Sequence, residues 1–239
     1  MTQEPGITLS VLQPGYLPWL GFFDQVRRCD VFVLYDDVQF NKHGWRNRNR
    51  IKSSKGFQWL TVPVRHKGLG KQKILDVEID NSTAWGRKHV ATIQQCYSRA
   101  PFIQHYLPSL SEVLLSRWER LVDLDLALIE IMCGWFGLQR RIIRSSTLGV
   151  EGEPSERLLK LCLHFGACCY YSGLLAKNYL DIDLFASKGI QVQWQPNQHP
   201  VYQQQHGEFL SHLSALDLLL NCGEESSAIL AGGFTQEAT

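Results

Sequence analysis

Residues Ile7–Asp37 read ITLSVLQPGYLPWLGFFDQVRRCDVFVLYDD, and this stretch decides the fold. Ile7–Leu12 is an apolar run of strand length, stopped by Gln13-Pro14-Gly15. Leu20–Arg28 places apolar residues at 20, 22, 23 and 26, a helical spacing. Val31–Tyr35 is continuous and apolar, as in a strand buried on both faces. Strand, helix and strand in that order predict a parallel crossover unit, right-handed by default.

The same reading extends along the chain. Asn41–Lys55 reads as an irregular loop, Phe57–Val64 as a third strand and Ile74–Ile79 as a fourth near a sheet edge. Ser82 or Thr83 would cap a helix running to about Tyr97, Pro101 opens a second helical stretch, and Leu114–Phe136 is strongly helix-like. Ile142–Arg144 reads as a short strand. A second crossover unit follows: Pro154 suits a first helical position and Gly166 a C-terminal cap. Ala167–Tyr171 is a buried strand ending in Ser172-Gly173, a helix starts near Leu174, and Ile190–Trp194 is a further strand. Leu213–Leu220 closes the series as a helix. The expectation is an α/β fold with a mostly parallel sheet flanked by helices. It is a single domain over residues 1–223, with a helical insertion at about 82–137. The small, polar segment 224–239 reads as a tail, disordered at least in part.

Composition narrows the class. A chain of 239 residues with 44% hydrophobic and 20% charged content can bury a full core. The net charge of +1 points to no partner, but its distribution does. Ten of the 24 Lys and Arg residues fall between Lys42 and Lys73, where no Asp or Glu occurs. Such a patch favours an anionic ligand, whether phosphate, carboxylate or nucleic acid. Seven cysteines, an odd number with no Cys-x-x-Cys pair, read as buried free thiols in a reducing compartment. No secretory signal and no apolar run of about 18 residues is visible, so the reading is a cytoplasmic protein without membrane insertion.

Five clusters carry the polar chemistry. Gln13, Tyr16 and Trp19 lie in a proline-bounded loop after the first strand, where rings could stack on a base or a sugar or pack into the core. Asp36-Asp37-Val38-Gln39 follows the second strand. Adjacent carboxylates point to opposite sides of an extended chain, so one faces a site as a base or ligand, while capping or pairing with nearby arginines is the structural alternative. In Lys42-His43-Gly44-Trp45-Arg46-Asn47-Arg48-Asn49-Arg50, alternation puts Arg46, Arg48 and Arg50 on one face and Asn47 and Asn49 on the other. Arginine gives bidentate contacts to phosphate or carboxylate. Ser172-Gly173 opens a turn with backbone donors suited to an anion, and Lys177 lies about one turn beyond. His199 offers an acid or base, followed by Tyr202 and Gln204. The eight histidines are scattered without paired spacing, so no metal is expected, and no dinucleotide or phosphate-loop fingerprint occurs.

In this order the clusters resemble the WbqC-like protein family of bacteria. The resemblance is carried by Gln13-Pro14-x-Tyr16-Leu17-Pro18-Trp19-x-Gly21-x-Phe23, Asp36-Asp37-Val38-Gln39-Phe40 and Trp45-Arg46-Asn47-Arg48-Asn49-Arg50-Ile51. It continues through Trp59-Leu60-Thr61-Val62-Pro63-Val64, Tyr171-Ser172-Gly173, Tyr179-Leu180-Asp181, His199-Pro200-x-Tyr202-x-Gln204 and Leu213-Ser214-x-x-Asp217, over roughly residues 7–223. The resemblance implies a place in O-antigen or other surface-polysaccharide biosynthesis, with glycine or aminoacyl transfer as the activity. Many members carry a His directly before the Gln-Pro pair, where Leu12 stands here. A shorter stretch, Gly15-Tyr16-Leu17 through Gln39-Phe40, is similar to the opening of pantothenate synthetase and so to the nucleotidyltransferase-like α/β superfamily. Where that opening has His-x-Gly-His, this chain has Pro18-Trp19-Leu20-Gly21.

The leading expectation is a transferase joining a small carboxylate, such as glycine, to an activated, phosphorylated or nucleotide-linked sugar. Arg46, Arg48 and Arg50 would hold phosphates or the carboxylate, Tyr16 and Trp19 a ring, and Asp36 or Asp37 the nucleophile. The acyl donor is either activated by ATP with Mg or preactivated. The alternatives are a non-catalytic nucleotide- or sugar-binding protein, and a transferase taking its donor from aminoacyl-tRNA, with the basic window on nucleic-acid phosphates.

Overall fold

A computed structural model of the chain describes residues 6–42, 44–66 and 68–234. His43 and Lys67 of the basic window, and residues 235–239 of the expected tail, lie outside the described residues. A first strand, β1 (Ile7–Leu12), leads through helix α1 (Leu20–Arg28) to β2 (Val31–Leu34), the expected opening unit. A hairpin of β3 (Arg48–Ser53) and β4 (Gly56–Thr61) follows, then three helices, α2 (Trp85–Cys96), α3 (Ile103–Leu115) and α4 (Leu121–Trp135). The chain returns to the sheet with β5 (Arg141–Arg144), α5 (Pro154–His164), β6 (Ala167–Ser172), α6 (Ile182–Ala186) and β7 (Gln191–Trp194). It closes with α7 (Leu216–Cys222) and α8 (Ser226–Gly232).

The main sheet has the order β5-β2-β1-β6-β7, and every neighbouring pair is parallel. From β1 the chain builds outward through β2 to β5, then returns across β1 and builds the other way through β6 to β7. The order therefore reverses between β1 and β6. The alternation of side chains in β1 divides the core between two faces. Leu9 and Val11 pack with Val31, Val33, Leu158, Leu161 and Phe185 beneath α5 and α6. Phe32 and Leu34 face the opposite way, with Phe22, Phe23 and Val26 of α1 and the helices of the middle third. Each such fully buried side chain contributes about 1.5–3 kcal/mol. The α/β class is as expected, with a mostly parallel sheet covered by helices.

Several local expectations are corrected. Six residues of Asn41–Lys55, read as loop, form β3, because its alternating polar residues put Asn49 and Ile51 inside and Arg48 and Arg50 outside. Phe57–Val64 supplies β4, but it pairs antiparallel with β3 in a separate two-stranded sheet. Ile74–Ile79 is a short 3₁₀ turn at Ile74–Asp76 with isolated bridges on either side, because its apolar residues drop into the helical core without a strand partner. The segment read as a polar tail carries α8, with Leu230 and Phe234 fully buried. Pro154 begins α5 and Gly166, at φ +62°, ends it in the left-handed conformation that glycine adopts without steric cost. Among the described residues no helix is long and apolar enough to cross a membrane, and no group of three or more His, Cys, Asp or Glu could hold a metal ion.

Candidate functional site

Parallel strands leave a crevice beyond their C-terminal ends where the strand order reverses, and ligands of open α/β sheets bind there. Here a cavity of about 500 Å³ occupies that place. Leu12 and Gln13 enter it from the end of β1, Ser172 and Gly173 from β6, and Gln195 from just beyond β7. A hollow of about 610 Å³ lies at the start of α2 and the end of α3 and holds none of the candidate residues.

Three loops are sewn together to make the cavity wall. The Tyr16 amide donates to the Arg46 carbonyl at 3.0 Å, Arg46 donates to the Pro14 carbonyl at 2.9 Å, and Asn49 donates to the Leu17 carbonyl at 2.7 Å. Leu17 itself sits at φ +44°, and the Asn49 bond helps hold that strained backbone. The third loop joins through the Ser214 amide to Arg50 O and the Ala215 amide to Pro18 O, both at 2.8 Å. Gln13, Trp19, Trp45, Arg46 and Asn49 are thereby brought to the cavity, which Ser172 and Gly173 line from the end of β6.

The floor is a buried polar chain. Gln25 donates to Gln195 at 3.0 Å, and Gln195 donates to the Gly21 carbonyl at 2.8 Å and to Asp24 at 2.9 Å. The Ser10 hydroxyl lies 3.0 Å from Gln25 Oε1, and the Tyr171 hydroxyl donates to Asp24 at 3.0 Å. A buried amide with its partners satisfied is fixed in orientation, so what remains of its hydrogen-bonding capacity is aimed. Neither glutamine stood among the sequence candidates. Gln195 follows a strand end and the strand-end rule reaches it, whereas Gln25 is an interior helix position that only the fold exposes.

His212 also lines the cavity and was missed. It stacks on Trp19, with ring centroids 5.4 Å apart and planes at 19°, and its backbone is left-handed at φ +58°. No local sequence signal marks it. His199, by contrast, is engaged on both sides: Nδ1 lies 2.9 Å from the Pro200 carbonyl, and Nε2 accepts the His212 amide at 3.2 Å. Burial lowers its pKa. The ring positions His212 and, on this geometry, has no nitrogen free for proton transfer, so the expectation of a catalytic His199 is corrected.

Other candidates serve the scaffold. Asp36 is fully buried beside β5, ion-paired to Arg144 at 2.6 Å and bonded by Ser145 Oγ and by the Ser146 amide and hydroxyl at 2.8–3.1 Å. Burial pushes its carboxyl up, but the bonds from Arg144 and Ser146 outweigh burial and leave its pKa lowered. Asp37 is paired with Arg157 and bonded to Ser145. The two carboxylates are not parted as expected, since they lie beyond the end of β2 and both reach the Ser145 hydroxyl; each finds its partners within the chain and neither lines the cavity. Tyr16 is fully buried with its hydroxyl 2.8 Å from His89 Nδ1, so it packs in the core and stacks on no ligand; burial depresses the pKa of His89 to about 4. Asn47 donates to the Val62 carbonyl at 2.8 Å. Tyr202 donates to Asp217 at 2.9 Å, and Gln204 accepts from the buried Lys52 at 2.9 Å, tying the hairpin to the last third of the chain. Lys177 lies over the Trp194 ring, and its segment is a 3₁₀ turn, Leu174–Asn178, in place of the expected helix. Gln39 and Lys42 are exposed and stand away from the cavity wall, as do Arg48 and Arg50 on the outer face of the hairpin.

The sequence model of the WbqC-like protein family matches residues 13–229, which include all three wall loops and every floor residue but Ser10. The chain belongs to the WbqC-like protein family. It is 36% identical over 220 residues to the uncharacterized protein Rv1507c of Mycobacterium tuberculosis, covering 91% of this chain and 95% of that one. No solved structure matches the chain. Within the family pattern, the Pro18-Trp19-x-Gly21 element acquires a physical reason. A Cβ at Gly21 would stand 2.1 Å from the Trp19 ring, so only glycine lets the indole lie across the first turn of α1 and form the wall. Leu12, directly before the Gln13-Pro14 pair, faces the same cavity.

Proposed function

We propose that this protein transfers a small carboxylate, of the glycine or aminoacyl class, to an activated sugar in surface-polysaccharide assembly, with the sugar ring seated in the switch-point cavity. The observation that carries the reading is the make-up of the wall. The amides of Gln13, Gln25, Asn49, Gln195 and Asn197 suit hydroxyl groups, and the rings of Trp19, Trp45 and Tyr179 suit the flat faces of a sugar. Arg46 supplies a single cation for a phosphate or carboxylate; burial lowers its pKa, and the neighbouring Asp125 opposes that shift. The described wall contains no Asp or Glu. A magnesium–ATP complex would find no carboxylate ligand there, so a preactivated acyl donor fits the residues better.

In this reaction the bond from acyl carbon to donor breaks, a bond to the sugar amine or hydroxyl forms, and the nucleophile's proton leaves. The His212 imidazole lines the wall and offers a ring nitrogen to take that proton, and its Nδ1 lies 2.8 Å from Ser211 Oγ. Melting curves against phosphorylated and nucleotide-linked sugars test the reading. Stabilisation by an activated sugar is expected, and loss of it in Trp19→Ala and Gln195→Leu. Stabilisation by none of them overturns it. A second reading, a non-catalytic nucleotide- or sugar-binding protein, is favoured by Leu12 on the wall and by the internally paired Asp36 and Asp37. Binding of an activated sugar with no acyl product by mass spectrometry, whatever aminoacyl donor is supplied, selects it.

A further inference from the structure

The outer face of the hairpin is unusual for a surface. Phe57 and Trp59 alternate outward on β4 and are 43% and 37% exposed, and Trp45, on the loop before β3, is 44% exposed. The three rings form one group: Trp45 and Trp59 have centroids 5.3 Å apart, and Phe57 meets Trp59 edge-on at 6.2 Å. Arg50, opposite Trp59 in the register, lies 5.0 Å from the Phe57 ring centre, 5.3 Å from Trp45 and 5.8 Å from Trp59; Arg48 lies 4.7 Å from Trp59. Among the described residues Arg50 has no carboxylate at ion-pairing distance, and its buried Nε has no hydrogen-bond partner. Exposed aromatic edge strands invite misassociation unless something covers them, and a guanidinium without a counter-charge favours an anion.

This face is continuous with the cavity. Trp45 stands in both, and Arg50 donates to the carbonyl of His212, a wall residue, at 3.3 Å. We infer that the hairpin face is the docking surface for the nucleoside diphosphate arm of a nucleotide-linked sugar whose sugar ring occupies the cavity. This rests on the sugar reading of the cavity. The base stacks on the Trp59–Phe57 group, and the diphosphate meets Arg50 and Arg48 on its way to the ring site. Aromatic faces hold bases of any kind by stacking, and arginine forks hold phosphate oxygens in pairs. A single nucleotide suits the observations better than a nucleic-acid strand, because the rings form one compact group leading into the cavity and do not extend along the surface.

Calorimetric titration of the full chain separates the outcomes. Uridine diphosphate and guanosine diphosphate, without sugar, are the probes for the hairpin face; a hexose 1-phosphate is the probe for the cavity. Binding of at least one nucleoside diphosphate is expected. Trp59→Ala should weaken it about tenfold or more, Trp59→Phe should retain most of it, and Arg50→Lys should weaken it by roughly tenfold through loss of the fork. If Trp59→Ala fails to fold by circular dichroism, Trp59→Phe and Arg50→Lys carry the comparison. Hexose phosphate binding without any nucleoside diphosphate binding overturns this inference and leaves the sugar reading standing. Nucleoside diphosphate binding that depends on Trp59, with no sugar compound bound, supports the docking face and removes the sugar reading. Tighter binding of a single-stranded oligoribonucleotide, falling steeply with salt, overturns the inference in favour of nucleic acid.

Discussion

Two neighbouring strand ends carry polar clusters and put them to opposite uses. At the end of β2, Asp36 and Asp37 meet Arg144, Ser145, Ser146 and Arg157, and every carboxylate oxygen is accounted for within the chain. One strand over, at β1 and β6, Gln13, Trp19, Trp45, Arg46 and Gln195 surround open space. The difference lies in where the complementary groups are. A charge whose counter-charge arrives from the next strand or its following helix, as Arg144 of β5 and Arg157 of α5 do here, becomes a fastening. A polar group at the reversal of strand order has no adjacent crossover helix to fill the gap beside it, and its capacity is left for a ligand. Burial alone does not separate the two ends: Asp36 and the floor amides Gln25 and Gln195 are all buried, and the difference is that the floor borders the cavity.

The largest effect that tests this contrast is on stability. Asp36→Ala leaves Arg144 with only the half-exposed Asp123 at 3.1 Å, strips the Ser146 hydroxyl of its acceptor and leaves the Ser145 hydroxyl with Asp37 alone. Removing one partner of such a pair should cost about 3 kcal/mol, at the low end for buried pairs because Arg144 keeps some solvent. Urea unfolding measures it. Ligand affinity of the folded fraction should not change; a variant of normal stability that has lost binding would break the contrast. The pH dependence follows from the same bonds. The folded-state pKa of Asp36 is below its unfolded value, so its contribution is complete above the ordinary carboxylate pKa of about 3.9 and is lost as pH falls further toward the folded value. Unfolding curves between neutral pH and about pH 3 should therefore show an acid loss in the natural chain that is reduced in Asp36→Ala.

A smaller effect on stability, with a larger one on binding, is expected at the cavity. Gly21→Ala puts a methyl group where the Trp19 ring lies. Overpacking of this kind costs about 1–3 kcal/mol, and the better helix propensity of alanine returns about 1 kcal/mol, so the net loss is modest. The displaced indole no longer forms the wall or stacks on His212, and affinity for an activated sugar should fall about tenfold or more. Unaltered affinity, read by calorimetry alongside the melting temperature, would mean that Trp19 forms part of the core and not of a site.

The contrast also marks how far the sequence could be read. The crossover units were legible because β1, β2 and β6 are continuous apolar runs and α1 keeps a helical spacing, signals that depend only on neighbouring residues. The hairpin was not, because Arg48–Asn49–Arg50 alternates two polar residue types, and its inward Asn49 and the preceding Asn47 donate to Leu17 and to Val62 just beyond β4, partners that no local pattern shows. The wall loops were legible as motifs, yet which of their residues face the cavity depends on bonds between loops 30 or more residues apart, such as Tyr16 to Arg46. Asp36 and Asp37 looked free because Arg144 and Arg157 lie more than 100 residues downstream. His212 left no trace, since its place is set by a single left-handed backbone position beside Trp19.

That position gives the smallest expected change in stability and the clearest mirror of Asp36→Ala. A non-glycine residue in the left-handed region carries about 1–2 kcal/mol of strain, which His212→Gly removes. The same change deletes a ring pair with Trp19 worth about 0.5–1.5 kcal/mol, so the two terms nearly cancel and the melting temperature should hardly move. On the transferase reading, binding and turnover depend on the imidazole and not on the sum. If the strained residue is kept for its ring, the glycine variant folds as well as the natural chain but transfers no acyl group, and His212→Asn, which tolerates the same backbone, fails in the same way. If His212→Gly instead keeps full activity, the strain serves only the loop joining Ser211 to Ser214, and the proton acceptor must be sought elsewhere on the wall.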